Sequence, residues 1–403
     1  MIYYNEKLKP IFDMLFKHNI LPVIVGGYVR DALLHKSSKD IDIELYNLTS
    51  YSLLEKILKQ FGSPNSVGKS FGVCKLSFKD LEIDFSLPRT ENKTALGHKG
   101  FNVILDTTLE YKTAAKRRDF TINSIGFDVK NSILLDPYHG KIDLKNKILK
   151  MVDKSTFTQD PLRILRAMQF CARFELQIDK KLLEECRFMV EQRMLQELPQ
   201  ERIYEEFQKL FLRSQKPSLG ILFLEKIYAF RYFKELQPTP FFHKKLQAID
   251  RLQSNKMALY LTLLLYDLNN TKLSSFLQKI TREKKLLEEV ILLHKYKAVF
   301  ITTNKVSHYQ LYKVAQFVCI EDILLIHKAI KPRSIYKTLQ EEAKKLGIFH
   351  KKLEPLIEGK DLIKAGLQPS PKFSFLLQKL YEKQMQENFN TKEDGVKLLN
   401  KML

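Results

Sequence analysis

Hydrophobic and polar positions alternate along the first part of the chain and follow a longer period after about residue 140. Alternation is the period of a half-buried β-strand, in which successive side chains point to opposite faces. It predicts strands at 21–25, 40–45, 73–78, 81–87, 127–129 and 133–135, with helices at 11–18 and 51–61. The first part of the chain is therefore expected to form a small mixed sheet with helices.

From residue 141 onward, apolar residues recur at i, i+3 and i+4, the period of an α-helix that packs on one side. This pattern predicts helices at 161–174, 179–192, 200–212, 217–228, 256–268, 274–280, 282–296, 308–318, 320–330 and 371–386. We therefore predict an α+β fold with three parts. A small mixed-sheet head (residues 1–140) is followed by an all-helical neck (141–236) and a helical body and tail (237–403), with residues 237–240 as the best internal linker.

A double glycine ends the first predicted strand and precedes a short helix. Gly26 and Gly27 allow the backbone to approach a ligand closely, and a helix that begins near Tyr28 directs free N–H groups at an anion. Arg30 lies one turn into that helix and can donate two hydrogen bonds to a phosphate. The segment therefore predicts a turn that holds phosphate.

Two carboxylates follow on the next predicted strand. Asp40 and Asp42 lie two residues apart and project from the same face, while Ile41 and Ile43 point into a core. Like charges on one face repel each other, but hard oxygen ligands in this arrangement suit Mg²⁺. A tight turn beside a solvent-facing aspartate pair would explain either half of the motif alone. Both halves together predict a site for a nucleoside triphosphate with Mg²⁺.

The charge of the chain indicates the class of partner. The 403 residues include 67 Lys and Arg against 46 Asp and Glu, a formal net charge of +21 at pH 7. Such an excess favours nucleic acid; an anionic membrane surface and a lysine-rich composition without a partner are the alternatives. The four cysteines lack the spacing of a metal site or a disulfide framework, which fits a reducing cytoplasm. No apolar run is long enough to predict a membrane span.

Asp84 is a third acidic candidate, on one strand of a predicted hairpin. If the sheet brings it beside Asp40 and Asp42, three carboxylates could hold two metal ions for in-line nucleotidyl transfer. A solvent-facing strand residue is the alternative explanation for Asp84 alone.

A second cluster of polar side chains lies at residues 116–125. Arg117 and Arg118 offer guanidinium donors to phosphates or a ribose, and Asp119 can orient one of them or accept from a ribose hydroxyl. Asn123 follows four residues later and can lie on the same helical face. A solvated basic patch at the start of a helix is the alternative.

A third cluster opens the helix predicted at 161–174. Pro161 fits the first helical position, which makes Asp160 a candidate N-cap. Arg163 and Arg166 follow on the same side of the helix. An aspartate beside an arginine presents an acceptor and donors to the edge of a base, so Asp160 and Arg163 could select a nucleotide without a template. Arg166 could also reach a phosphate.

The three clusters resemble, in order and spacing, those of the class II tRNA nucleotidyltransferase and bacterial poly(A) polymerase family. Residues 136–144 resemble the hinge segment of that family, and residues 198–206 resemble its later helical motif. The resemblance is dense over roughly residues 20–215. It implies a nucleotidyltransferase head followed by a helical neck, body and tail.

The resemblance also implies a role for each matched position. Asp40 and Asp42 would bind Mg²⁺ in a two-metal site, and Asp84 would be the third catalytic carboxylate. The other matched positions would bind the nucleotide. Gly26, Gly27 and Arg30 would hold the triphosphate. Arg118 and Asp119 would contact the sugar, with Arg117 and Asn123 beside them, and Asp160 and Arg163 would pair with the base, with Arg166 nearby.

The implied reaction is the addition of C, C and A to the 3′ end of tRNA from CTP and ATP, with release of pyrophosphate. The expected partner is tRNA, held at its 3′ end and along its acceptor and elbow backbone, with no membrane and no obligate protein partner. Enzymes that add only CC or only A, poly(A) polymerases and an inactive tRNA-binding protein are the alternatives.

Further positions refine the expected choice of nucleotide, the expected activities and the expected contacts with tRNA. Gln159 stands where the family often has Glu, and Gln169 stands where some relatives have Arg. Residues 89–101 resemble the flexible loop of relatives that add the terminal adenosine. Tyr266 replaces a histidine that longer relatives use in a phosphohydrolase site, so we expect no phosphohydrolase activity. The lysines of the body are expected to follow the tRNA phosphates.

Overall fold

A computed structural model describes residues 4–65, 72–93, 101–300, 306–333 and 335–403. The chain divides into two units, Met1–Lys234 and Glu235–Leu403. Residues 94–100, in the segment compared above with a flexible loop, lie outside the described residues. The segments on either side of them pair as an antiparallel hairpin, where the sequence predicted only a loop.

The first unit contains a mixed sheet of six strands, as the sequence predicted. Its strand order is β3-β4-β2-β1-β7-β8; β2 and β4 run parallel and the other neighbours are antiparallel. The strands of the head are β1 (Leu21–Val25), β2 (Asp40–Tyr46), β3 (Val73–Phe78), β4 (Leu81–Ser86), β5 (Arg89–Lys93), β6 (Phe101–Leu105), β7 (Gly126–Asp128) and β8 (Ile133–Leu135).

One face of this sheet forms the core of the head, and the opposite face carries the acidic residues. Ile41 and Ile43 of β2 are buried together with apolar residues of the helices that pack on the sheet, such as Phe12 and Leu54. The helices of the first unit are α1 (Lys9–Lys17), α2 (Gly27–Leu33), α3 (Tyr51–Leu58), α4 (Tyr111–Ala115), α5 (Gly140–Lys145), α6 (Lys154–Phe157), α7 (Leu162–Arg173), α8 (Lys180–Glu191), α9 (Gln200–Arg213) and α10 (Ser218–Lys226).

The predicted neck is not entirely helical. Two short strands, β9 (Ile148–Leu149) and β10 (Gln177–Ile178), pair in parallel within it. A strand of two residues is too short to give a detectable alternation, so the sequence pattern could not reveal it. The apolar face of α7 packs against α9 and α10, which fixes the helix of the third cluster.

The second unit is helical throughout its described residues. Four of its helices, α11, α17, α18 and α20, were not predicted from the sequence. No described helix is long and apolar enough to cross a membrane. The helices are α11 (Phe242–Arg251), α12 (Met257–Leu264), α13 (Asn270–Ile280), α14 (Lys284–Tyr296), α15 (His308–Ala315), α16 (Ile320–Ile330), α17 (Ile335–Lys345), α18 (Gly359–Lys364), α19 (Pro371–Met385) and α20 (Lys392–Met402).

Candidate active site

Strand β2 places Asp40 and Asp42 on the exposed face of the sheet, opposite the buried Ile41 and Ile43. Because β2 and β4 are parallel neighbours with Asp42 in register with Asp84, these two side chains leave the sheet side by side. Oδ2 of Asp84 accepts a 2.8 Å hydrogen bond from the Lys75 ammonium of β3. The sheet therefore places Asp84 beside Asp42, but Asp84 has a cationic partner of its own.

The aspartate pair fits a divalent cation. Among the described residues, the carboxylates of Asp40 and Asp42 form no hydrogen bond or ion pair with another side chain, and Ser38 contacts only the backbone carbonyl of Asp40. Burial and the neighbouring carboxylates of Asp84, Glu44 and Asp40 raise the pKa of Asp42 above its ordinary value, against the opposing effect of Arg118. A bound cation would relieve this repulsion. The donors of Asp40, Asp42 and Asp84 do not form a compact group of three in the part of the chain that is described.

Gly26 allows two charged groups to approach the turn before α2. Its φ is +70°, a conformation that L-residues with a side chain rarely adopt. A Cβ at this position would lie 3.1 Å from Nη1 of Arg118 and 3.6 Å from Oδ2 of Asp42. The glycine turn, the Arg118 guanidinium and the Asp42 carboxylate therefore meet at one point.

A buried carboxylate, Glu44, holds both arginines of the second cluster. It lies on β2 two residues after Asp42 and has no exposed surface. Its Oε1 accepts 2.8 Å hydrogen bonds from Nη2 of Arg117 and Nη2 of Arg118, and its Oε2 accepts from the hydroxyl of Tyr46. Burial raises the pKa of Glu44, but Arg118 and Arg117 lower it by a larger amount. The pKa of Glu44 therefore lies below its ordinary value.

Asp119 orients Arg166, not Arg117 or Arg118 as its position in the sequence suggested. Its Oδ2 accepts a 2.6 Å hydrogen bond from Nε of Arg166, and its Oδ1 accepts from the Asn123 amide at 3.0 Å. Oδ1 of Asn123 in turn accepts from Nη1 of Arg30 at 2.6 Å. A continuous hydrogen-bonded chain thus runs from Arg30, beside the glycine turn, to Arg166 on α7.

The Arg30 guanidinium is largely buried and fixed on several sides. Its Nε and Nη2 donate to Oδ1 of Asp31 at 2.9 and 2.7 Å. The guanidinium carbon also lies 4.5 Å from the centre of the Phe174 ring, which is close enough for a cation–π contact. The structure therefore gives Arg30 a well-defined orientation at the edge of the glycine turn.

Asp160 and Arg163 meet at the start of α7. Oδ1 of Asp160 accepts a 3.0 Å hydrogen bond from the backbone N–H of Leu162, but the helix begins one residue later than predicted and its N-cap is Pro161, not Asp160. Nη1 and Nη2 of Arg163 donate to the carbonyls of Thr156 and Arg117 at 2.9 and 2.5 Å, and its Nε lies 4.0 Å from Oδ2 of Asp160. Backbone contacts thus fix the orientation of this pair.

A cleft of about 760 Å³ in the first unit collects most of the predicted site residues. Asp84 and Arg117 do not line it. The predicted residues that line it are Gly26, Gly27, Arg30, Asp40, Asp42, Arg118, Asp119, Asn123, Asp160, Arg163 and Arg166.

The cleft also has residues that the sequence reasoning missed. Arg173 at the end of α7 and Lys209 and Arg213 on α9 add positive charge to its wall. Burial and the neighbouring Arg30 and Arg213 lower the pKa of Arg173 below its ordinary value. The sequence shows that each of these three residues lies three or four positions from another cleft residue on its own helix. Only the packing of α7 on α9 shows that the two helices face one cleft.

Gln169 also lines the cleft and is almost completely buried. Its amide oxygen has no hydrogen-bond partner among the described groups. Buried polar atoms are rarely left unpaired, so this oxygen is an unusual feature of the cleft that Asp160 and Arg163 also line.

Two protein families match different parts of the chain. The family described as "Poly A polymerase head domain" matches residues 23–150, and "tRNA nucleotidyltransferase domain 2 putative" matches residues 251–397. The first match contains the sheet, the glycine turn and the second cluster. The second match lies within the helical unit.

Individual relatives agree with these matches. A "CCA-adding enzyme" of Lactococcus lactis is 29% identical over 402 residues, covering 96% of this chain and 95% of the relative. A "Multifunctional CCA protein" of Methylobacillus flagellatus is 38% identical over 195 residues, which cover 48% of this chain and only 45% of that protein. The chain thus matches less than half the length of the latter relative.

Solved structures share the fold. A Thermotoga maritima CCA-adding enzyme complexed with tRNA has a TM-score of 0.71 at 21% identity, covering all of this chain and 97% of the other. Residues 23–150 are thus similar to poly(A) polymerase head domains, residues 251–397 are similar to the second domain of tRNA nucleotidyltransferases, and the whole chain shares the fold of CCA-adding enzymes.

Proposed function

We propose that this chain is a CCA-adding tRNA nucleotidyltransferase that acts in the cytoplasm. The 3′-hydroxyl of a tRNA attacks the α-phosphate of CTP or ATP, a new phosphodiester bond forms, and pyrophosphate leaves. The observation that carries the proposal is that one cleft contains both the Asp40 and Asp42 pair and the Asp160 and Arg163 pair. The first pair suits nucleotidyl transfer, and the second suits the choice of a base without a template.

Asp40 and Asp42 would hold Mg²⁺, with Asp84 beside them. The chemistry that this ion supplies at such a site is activation of the attacking hydroxyl and stabilisation of charge on the departing pyrophosphate. The exposed face of β2 presents both carboxylates to the cleft, and their unsatisfied negative charge supports this role. Lys75 already occupies Oδ2 of Asp84, so Asp84 would offer Oδ1 to a metal ion as long as this contact is kept.

The glycine turn and its arginines would bind the triphosphate. Gly26 and Gly27 leave room for phosphate oxygens, and Arg118 lies directly beside the turn. Glu44 and Asn123 orient Arg118 and Arg30, so their guanidinium groups are ready in place before the nucleotide binds. Pre-oriented cations contribute more to transition-state stabilisation than flexible ones because no reorganisation is needed during the reaction.

Asp160 and Arg163 would read the base of the incoming nucleotide. Cytosine presents a donor amino group beside acceptors, and adenine presents a donor amino group beside a ring acceptor. A carboxylate and a guanidinium side by side can complement either arrangement. The contacts that fix Arg163 to two backbone carbonyls support a rigid readout, with Arg166 held nearby by Asp119.

The RNA substrate is proposed to be tRNA. The formal charge of +21 favours a polyanion, and a structural neighbour is described in complex with tRNA. The proposed enzyme consists of a head, a neck, and a body with a tail, and its helical unit contacts the tRNA backbone. A poly(A) polymerase and an enzyme that adds only CC or only A remain alternatives, since all would use the same head.

Incubation of the full chain with a tRNA that ends before CCA tests the proposal. With CTP alone we expect two cytidines to be added, and with CTP and ATP a single adenosine should follow. Long adenosine tracts without cytidine would instead identify a poly(A) polymerase. Arrest after two cytidines, or the use of ATP only on a tRNA that ends in CC, would identify the partial enzymes.

An Asp42→Asn variant tests the assignment of the metal pair in the same assay. We expect incorporation to fall by on the order of 10³-fold or more, because a preorganised charge in the site is lost. Binding of tRNA, measured by filter retention, should change little. Asp13→Asn, at an exposed position on α1, is the matched control and should keep full activity.

A further inference from the structure

Three side chains of types that bind transition metals meet in the helical unit, outside the cleft. They are Cys319, Glu321 and His350. Their Sγ, carboxylate oxygen and ring nitrogen all lie within 4.8 Å of one another, and no other group of three such ligands was found among the described residues. The nucleotidyl transfer proposed above uses none of them.

Two separate segments of the backbone bring these ligands together. Cys319 directly precedes α16 and Glu321 lies in its first turn. The backbone N–H of Glu321 donates to the carbonyl of Phe349 at 3.2 Å, and the protonated Cys319 thiol donates to the same carbonyl at 3.4 Å. The residue before His350 is therefore tied to the start of α16, which places all three donors on a braced backbone.

The distances between the donors are close to those around a metal ion. Nδ1 of His350 lies 3.2 Å from Oε2 of Glu321. Two such ligands with bonds of about 2.0–2.1 Å to a tetrahedral Zn²⁺ are separated by about 3.3 Å. The sulfur lies within 4.8 Å of both, whereas a thiolate and a nitrogen on the same ion are about 3.6 Å apart. The distance between Nδ1 and Oε2 therefore already suits a shared ion, and binding requires the sulfur to approach the other two donors.

The charges of the group also suit a divalent ion. A thiolate, a carboxylate and a neutral imidazole carry two negative charges, which one M²⁺ neutralises. The thiolate and the carboxylate lie at a helix N-terminus, where the helix dipole favours negative charge. Lys256 is the nearby cation, but its ammonium is bound by both oxygens of Asp322 at 2.8 Å and is therefore compensated.

We propose that Cys319, Glu321 and His350 bind a divalent transition-metal ion of the zinc type, with water as the fourth ligand. The mixture of sulfur, nitrogen and oxygen donors favours such an ion over Mg²⁺. The side chain of His350 is 67% exposed, which leaves one side of the group open to solvent. Binding displaces the thiol proton of Cys319 to solvent, and the bound ion links the His350 segment to α16.

Cobalt is the probe that tests this site, because Co²⁺ gives a thiolate-to-metal charge-transfer absorption only when a cysteine sulfur is bound. The full chain is treated with a chelator, and Co²⁺ is then added. We expect one equivalent of Co²⁺ to produce the band, one equivalent of Zn²⁺ to remove it, and excess Mg²⁺ to leave it unchanged. Cys319→Ser should abolish the band, while the buried Cys74, Cys171 and Cys186 cannot replace it.

A second variant tests the site at an exposed position, where folding is not at risk. His350→Gln should weaken Co²⁺ binding by about tenfold or more. His243→Gln removes an exposed histidine elsewhere in the same unit and should leave the affinity unchanged. Absence of the band at stoichiometric Co²⁺, or its persistence in Cys319→Ser, would show that the group is only an ion pair beside a protonated thiol.

Discussion

Nη2 of Arg118 donates a 2.8 Å hydrogen bond to Oε1 of Glu44, a carboxylate with no exposed surface. The other terminal nitrogen of Arg118 lies next to Gly26, where a Cβ would approach it to 3.1 Å. Glu44 therefore aims Arg118 at the glycine turn from inside the sheet. It acts through Arg118 and is a positioning residue for the proposed triphosphate site.

Replacement of Glu44 by Gln should affect both stability and nucleotide binding. The change leaves two arginines in a buried region without their shared counter-charge, at a cost of about 3–5 kcal/mol in the free energy of unfolding. We also expect a higher KM for CTP, because Arg118 is no longer held beside the turn. Urea unfolding and initial rates at varied CTP concentration measure the two effects.

Glu82→Gln is the matched control for this substitution. Glu82 lies on β4 of the same sheet and is exposed, and its carboxylate accepts a hydrogen bond from the hydroxyl of Ser77. The control should change neither the unfolding free energy nor the KM beyond experimental error. A Glu44→Gln enzyme with unchanged KM for CTP would contradict the positioning role even if its stability fell.

The conformation of Gly26 leads to a second prediction. Gly26→Ala introduces a side chain at a φ of +70°, which costs about 1–2 kcal/mol of stability. The new Cβ also pushes against Arg118, so the KM for both CTP and ATP should rise together. Steady-state kinetics with each nucleotide, on a tRNA that lacks only the residue to be added, provides the measurement.

Gly347→Ala separates backbone strain from the contact with Arg118. Gly347 has nearly the same φ, +69°, but a Cβ there would meet no atom within 4 Å. Its replacement should therefore lower stability by a similar amount and leave the kinetics unchanged. If both variants had the same KM, the contact at Gly26 would have no role in nucleotide binding.

Much of the head was predictable because local patterns determine it. Alternation along β2 predicted that Asp40 and Asp42 share a face opposite Ile41 and Ile43, and the burial of the two isoleucines confirms this. The mixed sheet and most strand limits were also predicted within a residue or two. These features depend on nearest neighbours in sequence, which a periodic pattern records directly.

Contacts between distant segments were not predictable in the same way. The alternation along β2 predicted that Glu44 lies on the same face as Asp40 and Asp42. Its partners, Arg117 and Arg118, could not be predicted, because they lie 73 and 74 residues away in the sequence. Arg173 and Arg213 likewise belong to the cleft only because α7 packs on α9. Nothing in the sequence distinguished Arg173 or Arg213 from other arginines on helices.

Asp119 leads to a prediction about pH. Burial raises the pKa of Asp119, but Arg166, Asn123 and Arg163 outweigh it, and the net shift is below the ordinary value. A carboxylate with a lowered folded-state pKa stabilises the protein fully above its unfolded pKa of about 3.9. This stabilisation is lost as the pH falls from that value through the folded pKa.

Asp119→Asn should therefore destabilise the protein most at neutral pH, by about 1.5–3 kcal/mol for the lost charged hydrogen bonds. The difference from the parent protein should shrink as the pH falls below about 3.9, because the parent carboxyl then becomes protonated. Urea unfolding between pH 7 and pH 3 tests this. A difference that stays constant over that range would mean that the charge of Asp119 does not stabilise the fold.

The last prediction concerns the positive wall of the cleft. Arg173 and Arg213 come from different helices, line the same cleft, and form no hydrogen bond or ion pair with a described residue. Burial lowers the pKa of Arg173, and the like charges of Arg30 and Arg213 lower it as well, so Arg173 is repelled by both cations. An anion from the nucleotide would relieve this repulsion, since the wall continues from Arg30 beside the glycine turn.

Arg173→Gln and Arg213→Gln should each raise the KM for CTP by about tenfold, because a hydrogen bond to a charged group is worth about 1.5–3 kcal/mol. The KM for tRNA should change less. Arg202→Gln removes an exposed arginine from the same helix as Arg213, outside the cleft, and controls for the loss of general positive charge. If the two cleft variants raised the KM for tRNA and not that for CTP, the wall would bind the RNA backbone instead of the triphosphate.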